Sequence, residues 1–182
     1  MSVTSEPWRH PDPGRSDLRL VMIAAADVHA LARGASRRPL TPYLLGAECA
    51  GLWRMRSRQL AGSPGDGPWV TRFVVVPGHA APVGLAGFHG PPDGAGMVEI
   101  GYRIDPEHRR RGYARQSVEI LLAVARAHPD VRVVRATIGP DNHASRSLVA
   151  GYGFTEVGSQ WDEDDGLEII LEVPAGTERP GS

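Results

Sequence analysis

The chain contains no lysine: all 20 of its basic residues are arginine. That excludes a lysine Schiff base and the phosphate loop in which a glycine-rich turn ends in Gly-Lys-Ser/Thr. A single cysteine, Cys49, rules out an intrachain disulfide and argues against a cysteine-based metal site. The histidines are scattered, without H-x-x-x-H or Cys/His spacing, so no metal is expected. No window approaches the roughly 18 continuous apolar residues that a spanning helix needs. Net charge is −1, so the global basic field of a nucleic-acid-binding domain is missing. Neither nucleic acid nor membrane is therefore expected as a partner. The opening segment MSVTSEPWRHPDPGRS has no apolar core of the kind a secretory leader carries, and a cytoplasmic protein is the expectation.

What is present is an ordinary globular composition, 41% hydrophobic and 23% charged, in a chain of 182 residues. That length suits one domain with a sizeable core. Residues 1–16 and 175–182 read as polar tails around a single domain over 17–174. DLRLVMI suits a first strand and AADVHALARG a short helix after it. TPYLLGAECAGLWRMRSRQLAG reads as a longer helix with Pro42 near its start. WVTRFVVVPG and APVGLAGFHG read as consecutive strands, and PPDGAG turns the chain into a further strand, MVEIGYRID. Ala114, Val118, Leu121, Leu122 and Ala125 then recur at helical spacing until His128-Pro129 ends the run. VRVVRATIGP is a strand, NHASRSLVAGYG a helix, and FTEVGSQW and LEIILEV a closing strand pair around the acidic turn DEDDG. This order predicts an α/β fold, a mixed and mostly antiparallel sheet flanked by helices.

One segment concentrates positive charge in this nearly neutral chain. RRRGYA, residues 109–114, joins a strand to the start of the amphipathic helix. The first N–H groups of a helix lack intrahelical partners, and the macrodipole makes that end partly positive. Gly112 lets backbone approach a ligand closely, Ala114 keeps the first turn open, and Arg109, Arg110 and Arg111 add full charges. Such a junction is an anion site, best matched by phosphate. A solvated charge run is the alternative reading of the same residues.

EIGYRIDPEHRRRGYARQSVEILLAVA and NHASRSLVAGYGF resemble the two core blocks of the GNAT superfamily of N-acetyltransferases. The branch they are most similar to holds the ribosomal-protein N-terminal acetyltransferases. Arg109, Gly112 and Ala114 stand at the places of the family's Q/R-x-x-G-x-G/A loop. Asn142, Ser145, Gly153 and Phe154 match its second block. The resemblance implies a GNAT-type fold and acetyl-CoA as co-substrate, with Arg109 to Ala114 and Arg115 holding its phosphates; this includes Arg110, Arg111 and Tyr113. It also implies that Tyr102, Arg103 and Ile104 pair with the pantetheine arm, that Asn142 contacts it, and that Ser145 hydrogen-bonds the sulfur. N-capping by Asn142, and a bond from Ser145 to its own helix, are the structural alternatives.

Acetyl transfer to an amine needs a base, a donor to the oxyanion and a tolerable leaving group. Strand alternation puts Val98, Ile100, Tyr102 and Ile104 on one face and Met97, Glu99, Gly101 and Arg103 on the other. The resemblance implies Glu99 as the base, while a structural pair with Arg103 is the alternative. The family's general-acid tyrosine is replaced by Val149 here. Tyr152 or Ser145 could act instead, and a tyrosine at 152 could equally pack on the sheet. His89 could line an acceptor cleft or be incidental. Trp53 and Trp69 could form its wall or belong to the core. The implied activity is N-acetylation of a primary amine, on a small molecule or a protein N-terminus; a homodimer, frequent among such relatives, is compatible with the resemblance but not read from the sequence. A non-catalytic acyl-CoA sensor is the rival reading, and a nucleotide-binding fold a weaker one.

Overall fold

The computed structural model describes residues 3–163 and 166–176. Its elements follow the chain as β1 (Trp8–Arg9), β2 (Arg19–Met22), α1 (Ala25–Leu31), α2 (Pro42–Leu45), α3 (Ala47–Gly62), β3 (Arg72–Val75) and β4 (Gly84–Phe88). Then come β5 (Met97–Ile104), α4 (Tyr113–Ala127), β6 (Val133–Ile138), α5 (His143–Ala150), β7 (Thr155–Asp162) and β8 (Gly166–Pro174). The sheet order is β1-β2-β3-β4-β5-β6-β8-β7, with every neighbour antiparallel except the parallel pair β5–β6. A crossover through α4 is what makes that one pair parallel. The expected mixed, mostly antiparallel sheet with helices on its faces is what forms.

Two apolar layers cover the sheet. Leu20, Val74, Ala86, Val98 and Ile100 pack with Val118, Leu121, Leu122 and Ala125 of α4. Val70, Phe73 and Leu85 point the other way, onto Val28, Leu31, Cys49 and Trp53 of α1 and α3. The period-two pattern of the strands is therefore satisfied on both faces. Trp53 donates Nε1–H to Leu44 O at 2.7 Å, and Trp69 stacks edge-on with Phe88, so both tryptophans belong to the core.

Two expectations change. The helix over 41–62 is broken at Gly46, which is extended (ψ −178°); a side chain there would meet Pro42 O at 2.8 Å. The segment expected as an N-terminal tail instead carries β1. Trp8 is buried, meets Phe88 at 5.5 Å between ring centroids and lies under the Arg72 guanidinium at 3.6 Å. Arg72 holds the segment further by donating to Thr4 O at 2.7 Å and Glu6 O at 2.8 Å. A two-residue strand has no periodicity to read, and Arg72 and Phe88, which hold Trp8, are more than 60 positions away. At the other end Ala175 is buried, with its N–H on Arg132 O at 2.8 Å. The rest of the expected C-terminal tail, from residue 177, lies outside the described residues. So do residues 164–165 of the acidic turn.

The strands β5 and β6 pair only at Met97↔Val133, Val98↔Val134 and Glu99↔Arg135. Beyond Glu99 they diverge, and a gap opens through the middle of the sheet. That gap positions the site.

Candidate active site

The arginine-rich segment forms the turn between β5 and α4. Asp105 accepts from Glu107 N–H at 3.0 Å and starts a short 3-10 turn over Pro106–His108. Arg109 Nε then donates to Ile104 O at 3.0 Å, tying the loop to the strand end. Arg110 (φ 61°) and Gly112 (φ 81°) both take the left-handed conformation. Left-handed residues in such a turn aim backbone N–H groups into one concavity. No side chain caps α4, so its first N–H groups remain open toward the same space. Among the described residues, Arg109, Arg110, Arg111 and Arg115 have no carboxylate within 4.0 Å.

A cleft of about 510 Å³ opens over this nest. Tyr102 to Ile104, Arg109, Arg110, Gly112 to Arg115, Asn142 and Ser145 line it. Arg111 is exposed and its side chain is not part of the lining, although its backbone lies within the same turn. His108, Ala144 and Leu148 also line the cleft and were missed. Ala144 and Leu148 are i, i+4 on α5 and readable as one face once Asn142 and Ser145 are placed there. His108 carried no signal.

A second cleft, about 390 Å³, occupies the gap between β5 and β6. It shares Tyr102, Arg103, Asn142 and Ser145 with the first, so the two form one groove through the sheet. His89 N–H donates to Glu99 O at 2.8 Å and Asp105 N–H to Val83 O at 3.0 Å. Odd-numbered residues of β5 therefore bond toward β4, and by alternation the backbone groups of Ile100 and Tyr102 face the gap.

On the α3 side of the gap lies a histidine–carboxylate pair. Nδ1 of His89 is 3.4 Å from Glu99 Oε1, an ion-pair distance rather than a tight hydrogen bond. The ring lies across Gly101, where an added Cβ would meet Nε2 at 2.8 Å. Surrounding protein lowers the His89 pKa, Glu99 opposes this and Arg56 adds to it. Since 47% of the side chain is accessible, solvent tempers the effect of burial. His89 lines the cleft and Glu99 does not, so Glu99 reaches the groove through the imidazole. The alternative pair of Glu99 with Arg103 is absent: Arg103 Nη1 donates to Glu48 O at 2.7 Å.

Asn142 accepts from Ser145 N–H at 3.2 Å and so caps α5, while also lining both clefts. Tyr152 is turned away from the groove. Its hydroxyl donates to Glu119 Oε1 at 2.6 Å, and burial together with that carboxylate pushes its pKa up to about 12. It lines neither cleft, which removes it from the candidate acids. Tyr102 stands in the groove instead. Its hydroxyl is buried beside the Ser145 side chain without a well-formed hydrogen bond among the described residues; burial raises its pKa, and Ser145 partly offsets this. Cys49 is buried, and burial raises its thiol pKa, which suits core packing rather than a nucleophile.

The protein family described as the acetyltransferase (GNAT) domain matches residues 17–155 of the chain. Among curated proteins, the uncharacterized N-acetyltransferase YjdG of Bacillus subtilis (strain 168) is 32% identical over 93 residues, covering 51% of this chain and 54% of that protein. The uncharacterized N-acetyltransferase YoaA of the same organism is 32% identical over 76 residues, covering 42% and 43%. The matches thus span about half the length of these relatives. Among solved structures, Mycobacterium smegmatis RimJ in complex with CoA-disulfide superposes with a TM-score of 0.64 at 20% identity, covering 97% of this chain and 89% of that one. At that identity the likeness is one of fold.

Proposed function

Because the chain belongs to the acetyltransferase (GNAT) family, we propose that it is an N-acetyltransferase moving an acetyl group from acetyl-CoA to a primary amine, of a small molecule or a protein N-terminus. The observation that carries this reading is the single groove that runs from the uncapped nest at Arg110–Gly112 to the His89–Glu99 pair. The CoA-bound RimJ of like fold supports the choice of cofactor.

The residues present fit coenzyme A. The nest and the Arg110 and Arg115 side chains would take its phosphates, and the gap-facing backbone of Ile100 and Tyr102 would pair with an extended amide-bearing arm. Asn142 and Ser145 flank that path. Bound there, the thioester supplies the acetyl carbon, to which the amine nitrogen bonds as the carbon–sulfur bond breaks. His89 Nε2 takes the amine proton, and Glu99 beside Nδ1 fixes the tautomer and balances the charge that forms. Glu99 is thus a positioning residue acting through His89. Gap-facing N–H groups of β5 are the donors to the developing oxyanion. The Tyr102 hydroxyl beside Ser145, kept protonated at neutral pH, is the donor toward the leaving sulfur.

The test is thiol release from acetyl-CoA against a panel of amines, with CoA binding followed by calorimetry. Acceptor-dependent release with saturable CoA binding is expected. Binding without release across the panel would instead identify an acyl-CoA sensor. A protein that binds no CoA would overturn the reading altogether.

A further inference from the structure

Two guanidinium groups on the α3 side of the groove touch no carboxylate among the described residues. Arg56 is only 3% exposed, yet it lines the cleft beside His89. Its Nε donates to Thr71 Oγ1 at 3.0 Å, and its Nη1 donates to Gln59 Oε1 at 2.6 Å and His89 O at 3.0 Å. All three acceptors are neutral. Among the described residues no carboxylate lies within 4.0 Å of Arg56 or Arg103. Arg103 enters the same cleft from β5 and is held by the Glu48 carbonyl. Against these two cations the cleft lining holds one carboxylate, Glu168, which is already hydrogen-bonded by Gln160 at 3.1 Å.

A buried charge is normally paired, because desolvation without a counter-ion is costly. Burial indeed pulls the Arg56 pKa down to about 10, even with Glu99 and Asp66 drawing it back up. Arg72, equally buried and without a carboxylate, is taken up by carbonyls and Trp8 and lines neither cleft. The Arg56 guanidinium instead sits rigid and open to a cavity, which is the preparation for a planar anion. The balance of lining charge also disfavours a polyamine as the occupant. A cavity of about 390 Å³ is of a size for a small molecule.

We propose that Arg56 and Arg103 form a carboxylate subsite, and that the acceptor is a small amine of amino-acid type. Its carboxylate is drawn into the cleft by these two cations, against Arg56, while its amine faces His89. Arg56 holds the His89 carbonyl itself, so the anion subsite and the base are adjacent, as an amine one carbon from a carboxylate requires. This inference rests on the acetyl-transfer reading of the same groove.

Two measurements test it. In the first, thiol release is compared for matched pairs, each an amino acid against its decarboxylated amine and its methylamide, with a peptide N-terminus and spermidine alongside. The carboxylate-bearing member should be favoured by about tenfold or more in kcat/KM. In the second, N-acetyl amino acids and their N-methylamides are titrated into the CoA-loaded protein, which reads the subsite without turnover. The acid should again bind about tenfold more tightly. Arg56→Gln and Arg103→Gln, made separately, should each shrink the difference; if the buried Arg56 variant does not fold, Arg103→Gln and the wild-type comparison still decide. Selective acid binding with no release would leave the subsite standing and overturn the transferase. Release that ignores the carboxylate, or prefers spermidine or the peptide, would overturn the subsite and leave the transferase.

Discussion

His89 is where the reacting end of the groove departs from a simple glutamate base. Its imidazole stands between Glu99 and the cleft, with Arg56 behind it, and its pKa is lowered chiefly by the surrounding protein. The neutral, proton-accepting form therefore persists below the ordinary histidine value of about 6.5. The acid limb of kcat/KM should fall below that pH, with activity lost as pH drops through it. His89→Ala should lower kcat by about 10²–10⁴-fold and abolish the limb. Glu99→Gln should lower kcat less and move the limb further down, because Glu99 is the group that favours the charged ring. A limb unmoved in both variants would remove the pair from the mechanism. At the other end Arg110→Ala should weaken CoA binding by on the order of tenfold, whereas Arg111→Ala, outside the cleft lining, should change it by less than about twofold. Calorimetric titration of both variants separates the two arginines.

At the scale of elements, the N-terminal strap and the end of α5 are held by groups far apart in sequence. Trp8 inserts between Phe88 and Arg72, so Trp8→Ala should lower stability by about 3 kcal/mol, read as a lower urea midpoint. The Tyr152–Glu119 contact joins α4 to the turn after α5, and His10 meets the same carboxylate at 2.9 Å. Because the Tyr152 pKa is raised to about 12 in the fold, its contribution is fully present below the unfolded tyrosine value near 10 and lost as pH climbs toward 12. The absence of lysine keeps that window free of ammonium titration. Tyr152→Phe should flatten the stability loss between those pH values; an unchanged slope would assign it to other groups.

For the molecule as a whole, the groove exists because a nearly continuous sheet parts at one place, with α1–α3 covering one face and α4 the other. A ligand seated in the groove binds only the folded chain. At a hundredfold excess over its dissociation constant, CoA should therefore add about 2.7 kcal/mol. For a chain of this size that is a rise in Tm of roughly 5–10 °C. Arg110→Ala should show a smaller rise at equal CoA. No rise in the wild type would mean that the nest binds no CoA.

Local information was enough for much of this protein. The periodicity of α4, the Gly112 junction with its arginines, the alternation of MVEIGYRID and the cap at Asn142 all depend on residues within a few positions of one another. Backbone stereochemistry and side-chain spacing act over that range, so the strands and helices, the mixed sheet and most of the residues lining the cleft over the arginine turn were legible in the sequence. The reacting end was decided by contacts between distant residues. His89 becomes a candidate base only when β4 lies beside β5 and Gly101 leaves room for its ring. Arg56 becomes a cleft residue only when α3 packs against that edge, and Tyr152 is drawn away only because Glu119 of α4 reaches it first. Charge pairing and burial are properties of neighbours in space, and only the tertiary structure decided which neighbours meet.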